Sequence, residues 1–317
     1  MKFPVFDLHC DTALAMLGED FSANSNLRSN EFHIDLERAS GFGGYCQCFA
    51  CFTSPLEKLP PRLTVADVFE RELSVILREL NTNQDMIRQA YTASEIESNR
   101  EEGIMSAVLT IEGPAGFGYD PALLENLYQI GFRVTTLGWN EKNPLCGSHL
   151  TGGGLTDLGR EYVREAQRLG MIVDVSHISD EAFWDIMDIT TAPIIATHSN
   201  SRAVYVCGRN LTDDMFLAIC QTGGAAGLNL YPEFLGDNAT IETVCDHAMH
   251  WLKLDPACKH IALGGDLDGF AELPEGFAGV QDYSKLAECL LNRGLSDAMV
   301  SNIFWNNAWG VINKCCM

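Results

Sequence analysis

Residues 5–11 read VFDLHCD, a largely apolar run that closes on a histidine and an aspartate. Four more segments share this design: SAVLTIEG (106–113), MIVDVSH (171–177), PIIATHS (193–199) and HIALGGD (260–266). A short, nearly continuous apolar run reads as a strand buried on both faces, the signature of parallel sheet. Each of these runs ends in a side chain that can ligate a metal or carry a proton. The end residues are His9, Asp11, Glu112, His177, His198 and Asp266.

Working outward, further apolar runs raise the strand candidates to eight, at about 4–9, 45–52, 106–111, 132–138, 171–176, 193–197, 225–230 and 260–265. Helical patterns lie between many of them. TDLGREYVREAQRL (156–169) places Leu158, Tyr162, Ala166 and Leu169 on one face, with Thr156 or Asp157 as cap and Gly170 as stop. SDEAFWDIMDI (179–189) opens on Ser179, and TDDMFLAICQ (212–221) runs toward Gly223 and Gly224. Repeated strand–helix alternation predicts a (β/α)8 TIM barrel. An open doubly wound sheet is the alternative, but no glycine-rich phosphate fingerprint follows the first strand. In the barrel, all strand C-termini share one rim, so residues distant in sequence meet there.

The 317 residues, 46% of them hydrophobic, suffice for one large core. The expectation is a single domain over 1–317, with a helical excursion at about 53–104 that holds a helical stretch at 64–90 and the charged SEIESNREE. The formal charge of −22 disfavours nucleic acid and anionic membranes, which need Lys and Arg to meet phosphate. The start, MKFPVFDLHCD, has no leader-like apolar region, and no run approaches the roughly 18 apolar residues of a membrane span. A cytoplasmic location is expected, and the close cysteines Cys46, Cys48 and Cys51 read as buried reduced thiols.

His9 and Asp11 stand two apart on a strand, so both are expected on the same side, where they would hold one ion. His177 and His198 end consecutive strands and would hold a second. Glu112 would bridge the ions through its two oxygens. Two metals roughly 3.5–4 Å apart can hold a hydroxide at neutral pH. Asp266 would stay off the metals and carry the proton. Cys10 points to the opposite side and is read as packing.

The segments DLHCDT (7–12), TIEG (110–113), DVSH (174–177), ATHSN (196–200), GRN (208–210), GGDLDG (264–269) and SNIFWNNAWGVI (301–312) together resemble the renal or membrane dipeptidase family. This is a branch of the metal-dependent amidohydrolases, many of which bridge their metals with a carbamylated lysine; here Glu112 stands at that strand tip. The resemblance implies a barrel with two zinc ions that cleaves free dipeptides, some with a C-terminal D-residue, and a homodimer. Carried over, His9 and Asp11 bind one zinc, His177 and His198 the other, and Glu112 bridges. Asp266 is the acid/base, with Asp268 as the alternative, and Arg209 grips the substrate carboxylate, as a planar guanidinium can. One departure stands out. The renal branch carries a substrate-contacting histidine after the fourth strand, where this chain reads TTLGWNEKN (135–143), giving Trp139 or Asn140. Asn140 or the loop residue His149 is therefore expected at the oxyanion, with Tyr231 as a pocket wall. His33, His247, His250 and His260 have no motif around them, and His247 and His250 are expected to face solvent.

Overall fold

The computed structural model describes residues 3–23, 25–53, 59 and 62–316. Positions 54–58, 60 and 61 of the 53–104 excursion lie outside them. The strands are β1 (Val5–Cys10), β2 (Tyr45–Phe52), β3 (Ile87–Gln89), β4 (Met105–Glu112), β5 (Phe132–Thr136), β6 (Ile172–Asp174), β7 (Ile194–Ala196), β8 (Ala225–Leu228) and β9 (Ile261–Leu263). They form one sheet in the order β2-β1-β9-β8-β7-β6-β5-β4-β3, and a further β2–β4 pairing closes it. The pairings among named strands are parallel. The eight expected strands form the barrel.

The ninth strand corrects the reading of 64–90 as helix. The helix Val65–Thr82 opens on a Thr64–Asp67 capping box and ends at Asn83, whose side chain donates to the Glu79 carbonyl. Ile87 then pairs with Met105, so β3 flanks the first half of β4, and β5 joins β4 only from Leu109 onward. Local pattern favoured helix there; burial of Ile87 against the barrel decided otherwise.

Alternation along the strands separates two cores. Phe6, Leu8, Cys46, Cys48, Val108, Val134, Ile172 and Ile195 fill the barrel with Trp305, Ala308, Val311 and Ile312. The last three of these lie on the helix Asn307–Cys315. That helix closes the end opposite the strand tips: Lys314 Nζ donates to the Gly223 carbonyl, and the Cys316 thiol lies 3.6 Å from that of Gly170, both just before strands. The outer core packs most of the other helices on the sheet, while Ala93 and Ile96 of the helix Ala93–Glu101 join the inner cluster. Thr156, Ser179 and Thr212 cap Asp157–Leu169, Asp180–Ile189 and Asp213–Thr222, each accepting from the third helical N–H.

Cys46, Cys48 and Cys51 are free and buried. Cys245 and Cys289 are joined by a disulfide between helices Ile241–Leu254 and Tyr283–Asn292. Among the described residues, no helix is long and apolar enough to cross a membrane.

Candidate metal centre

His9 reaches the rim through an irregularity. Asp7 faces Gln47 but Cys10 faces Phe49, so β1 carries one residue more than β2 over this interval. Such a bulge re-aims a side chain. Asp7, fully buried, pins it: its Oδ1 accepts the backbone N–H of His9 and of Gly265, both at 3.0 Å, and the Tyr283 hydroxyl donates to Oδ2. Asp11 is not on the strand; it stands at the N-terminal boundary of the helix Thr12–Leu17. The two residues do converge, with His9 Nε2 3.7 Å from Asp11 Oδ2. Strand periodicity was the wrong reason, since the bulge and the helix start bring them together. Cys10 is buried in the outer core, as expected of a packing residue.

Glu112 ends β4 with one oxygen on each side of the centre. Oε1 lies 2.9 Å from His177 Nε2 and 3.7 Å from His198 Nε2, while Oε2 lies 3.4 Å from His9 Nε2. The His177 and His198 Nε2 atoms are 2.8 Å apart. The partners of the opposite ring nitrogens fix the tautomers. Thr197 Oγ1 gives its hydrogen to Asp174 Oδ2 at 2.6 Å, so it accepts from His198 Nδ1 at 2.7 Å. His177 Nδ1 faces the Asn140 carboxamide oxygen at 3.0 Å and donates to it. Both Nε2 atoms then carry lone pairs aimed at the same small space, which repel unless a cation lies between them. Among the described residues, His9 Nε2 and Asp11 Oδ1 are likewise buried with no hydrogen-bond partner. His9, Glu112 and His198, and also His9, Asp11 and Asp266, offer ligand atoms within 4.8 Å of one another. Imidazole and carboxylate donors left unpaired in this way fit divalent cations.

The electrostatics follow from burial. Burial, with the positive charges of Arg209 and His9 nearby, holds His177 and His198 well below the usual histidine range. Burial pulls His9 down too, but Glu112 and Asp11 outweigh it and raise its pKa well above that range. Burial pushes Asp266 well up. His177 and Asp266 both adopt left-handed backbone, φ +69° and +58°, a conformation costly for non-glycine residues and common where a side chain must be aimed.

A cavity of about 650 Å³ opens over this cluster. Asp11, Glu112, His177 and Asp266 form part of its lining, with Phe52, Trp139, Tyr231, Phe234 and Phe270 as aromatic walls. Asp266 Oδ2 accepts from Asn229 Nδ2 at 3.1 Å, and its Oδ1 lies 3.8 Å from His9 Nε2. Asp268 is otherwise engaged: its oxygens accept from His33 N and Thr12 Oγ1, both at 2.6 Å, which ties the first loop to the last strand.

Three expected substrate contacts stand differently. Arg209 is 3% exposed and does not line the cavity; its Nη2 donates to the His198 carbonyl at 3.0 Å and its guanidinium lies over Phe234. His149 lies behind Asn140, with Nε2 2.9 Å from the carboxamide oxygen, also outside the lining. Burial, with Arg209 and Arg202 nearby, lowers its pKa to about 4. Asn140 does line the cavity, but its oxygen is taken by two imidazoles.

Sequence reasoning missed the residues that hold these side chains in place. Asp174 accepts from Thr136 Oγ1, from Ser176 N and Oγ, and from Thr197 N and Oγ1. A signal was present, since Asp7 and Asp174 stand two and three residues before His9 and His177. His247, expected at the surface, is fully buried: its Nδ1 accepts from Ser201 N and its Nε2 donates to the Leu235 carbonyl.

A closed parallel barrel with imidazoles and carboxylates at one rim is the architecture of a barrel metallohydrolase. The chain belongs to the membrane dipeptidase family, peptidase family M19, whose model matches residues 1–315. An uncharacterised dipeptidase of Schizosaccharomyces pombe is 37% identical over 210 residues, 64% of this chain and 51% of that protein. A dipeptidase of Claviceps purpurea is 28% identical over 258 residues, 79% of this chain and 60% of that one. The chain thus spans about half the length of the yeast relative. A metallopeptidase of Rhodobacter sphaeroides, solved with a phosphinate mimic of the dipeptide L-Ala-D-Ala, superposes with a TM-score of 0.89 at 27% identity, covering 99% of this chain and 100% of that one.

Proposed function

We propose that this chain hydrolyses the peptide bond of free dipeptides, C-terminal D-residues included, at a centre of two zinc ions. The observation that carries the reading is the split of Glu112, with Oε1 toward His177 and His198 and Oε2 toward His9. One carboxylate shared between two donor sets suits a pair of ions, with His9 and Asp11 holding one and His177 and His198 the other. The phosphinate dipeptide mimic bound by the Rhodobacter relative supports both the substrate class and the D-residue. Zinc is preferred for a site of imidazole and carboxylate.

When bound, the ions supply a Lewis acid and a nucleophile ionised at neutral pH. The protein's residues do the rest. Asn229 anchors one oxygen of Asp266, leaving the other to take a proton at the rim and return it to the departing amine. Arg209 is the cation whose field reaches His177, His198 and Asp266, so it draws a substrate carboxylate inward from behind Phe234. The aromatic walls exclude water from the scissile bond. The expected homodimer and cytoplasmic location belong to the same reading; sedimentation equilibrium measures the first and cell fractionation the second.

A dipeptide panel assayed before and after chelation, with metal analysis of the same preparation, tests the proposal. Asp266→Asn is expected to lower kcat by about 10²–10⁴-fold with zinc content unchanged. Turnover that survives complete metal removal would sink the reading.

A further inference from the structure

We infer that Asn140 and His149 form a relay that fixes the ring and tautomer of His177, and so sets the affinity of one half of the metal centre. The inference rests on the two-zinc reading above and adds two positioning residues to it. Asn140 Oδ1 receives two imidazoles, His149 Nε2 at 2.9 Å and His177 Nδ1 at 3.0 Å. A carboxamide oxygen only accepts, so both rings must present N–H to it. That assignment leaves His177 Nε2 without a proton, facing Glu112 Oε1 at 2.9 Å and His198 Nε2 at 2.8 Å. Turning the amide over would set its N–H groups against both rings and force a proton onto His177 Nε2, which would then be unable to ligate.

The relay is built in, not incidental. The His149 backbone N–H donates to the His177 carbonyl at 2.8 Å, so the two residues are joined through main chain and side chain. Ser148 Oγ donates to the Asn140 carbonyl at 2.6 Å, which fixes the loop that carries the carboxamide. Gly208 packs against the His149 ring, where even a methyl group would come within 3.4 Å of Nδ1. His149 is not among the residues lining the cavity; it stands behind Asn140, which is. His198 obtains the same service from Thr197 and Asp174, whereas Asp7 holds the backbone of His9. His177 would otherwise lack an orienting partner on its Nδ1. Groups that orient a ligating imidazole typically change metal affinity about 10–100-fold when removed.

The test is a zinc titration of the full chain against a competing chelator, which reads affinity apart from turnover. The parent should show two zinc sites; if it does not, the two-zinc reading itself fails, before any variant is considered. Asn140→Leu removes the acceptor at nearly constant volume and should weaken one of the two sites about 10–100-fold. Asn140→Asp keeps an acceptor oxygen and should restore the affinity. His149→Phe should weaken the same site by a smaller factor, because Asn140 remains but is no longer held. Parental affinity at both sites in Asn140→Leu would overturn the inference, above all with a raised KM, since Asn140 would then be a substrate contact. Equal losses in Asn140→Asp and Asn140→Leu would overturn it too. Circular dichroism before loading checks the fold. Should Asn140→Leu not fold, His149→Phe is decisive, and parental affinities in it would refute the relay.

Discussion

At the scale of single residues, the ligand-type side chains were legible and their supports were not. His9, Glu112, His177 and His198 announce themselves because imidazole or carboxylate at a strand tip is chemically unusual. Asp174 looks like any aspartate until its partners are known, and those come from Thr136 on one neighbouring strand and Thr197 after the next. Removing its carboxylate leaves several buried donors unpaired, at about 1–3 kcal/mol each. We therefore expect Asp174→Ala to destabilise the fold by at least about 3 kcal/mol in urea unfolding, and Asp174→Asn by less, since it keeps one acceptor. A loss below about 1 kcal/mol in the alanine variant would show that the hub is not structural.

At the scale of elements, capped helices were readable because capping is local. Thr156, Ser179 and Thr212 each bond within three residues of themselves. The β1 bulge and the loop staples were not, because they depend on contacts across the chain. His247 joins the loop after β7 to the segment that carries the aromatic wall, through Ser201 and Leu235. Burial is the main cause that lowers its pKa in the fold. The unfolded chain then binds the proton first as pH falls below about 6.5. Stability is accordingly lost from that pH downward, and His247 contributes no pH dependence above it. His247→Gln should flatten this acid branch, read as the difference in urea midpoint between pH 7.5 and 5.5; an unchanged slope would remove His247 as its source. Gly264 is constrained by close approach, for a Cβ there would lie 1.6 Å from the Thr197 carbonyl. Gly264→Ala must push β9 off the strand end before His198, which we expect to cost about 1–3 kcal/mol and to lower activity. Parental stability and activity would contradict that packing.

At the scale of the whole molecule, charge sets what reaches the site. The chain carries −22, Glu233 and Glu272 line the cavity, and among the described residues no Lys or Arg lines it. We expect Lys-Ala to be cleaved with higher kcat/KM than Glu-Ala. The gap should narrow with added salt, as the screening length falls from about 30 Å at 0.01 M to about 3 Å at 1 M. A salt-independent ratio would assign the preference to contacts instead of the field. The closed barrel itself follows from eight apolar strands, and the helix Asn307–Cys315 at its far end leaves the rim as the open face.

The sequence alone determined the barrel and the chemical kind of its rim, because both follow from periodicity and residue type, which are properties of short stretches. Tertiary structure decided how the side chains are aimed. It bent β1 to present His9, engaged Asp268 with His33 and Thr12, kept Arg209 and His149 off the cavity lining, and set Asn140 between two imidazoles. Those outcomes depend on distances between segments far apart in the chain, and no local pattern encodes a distance of that kind.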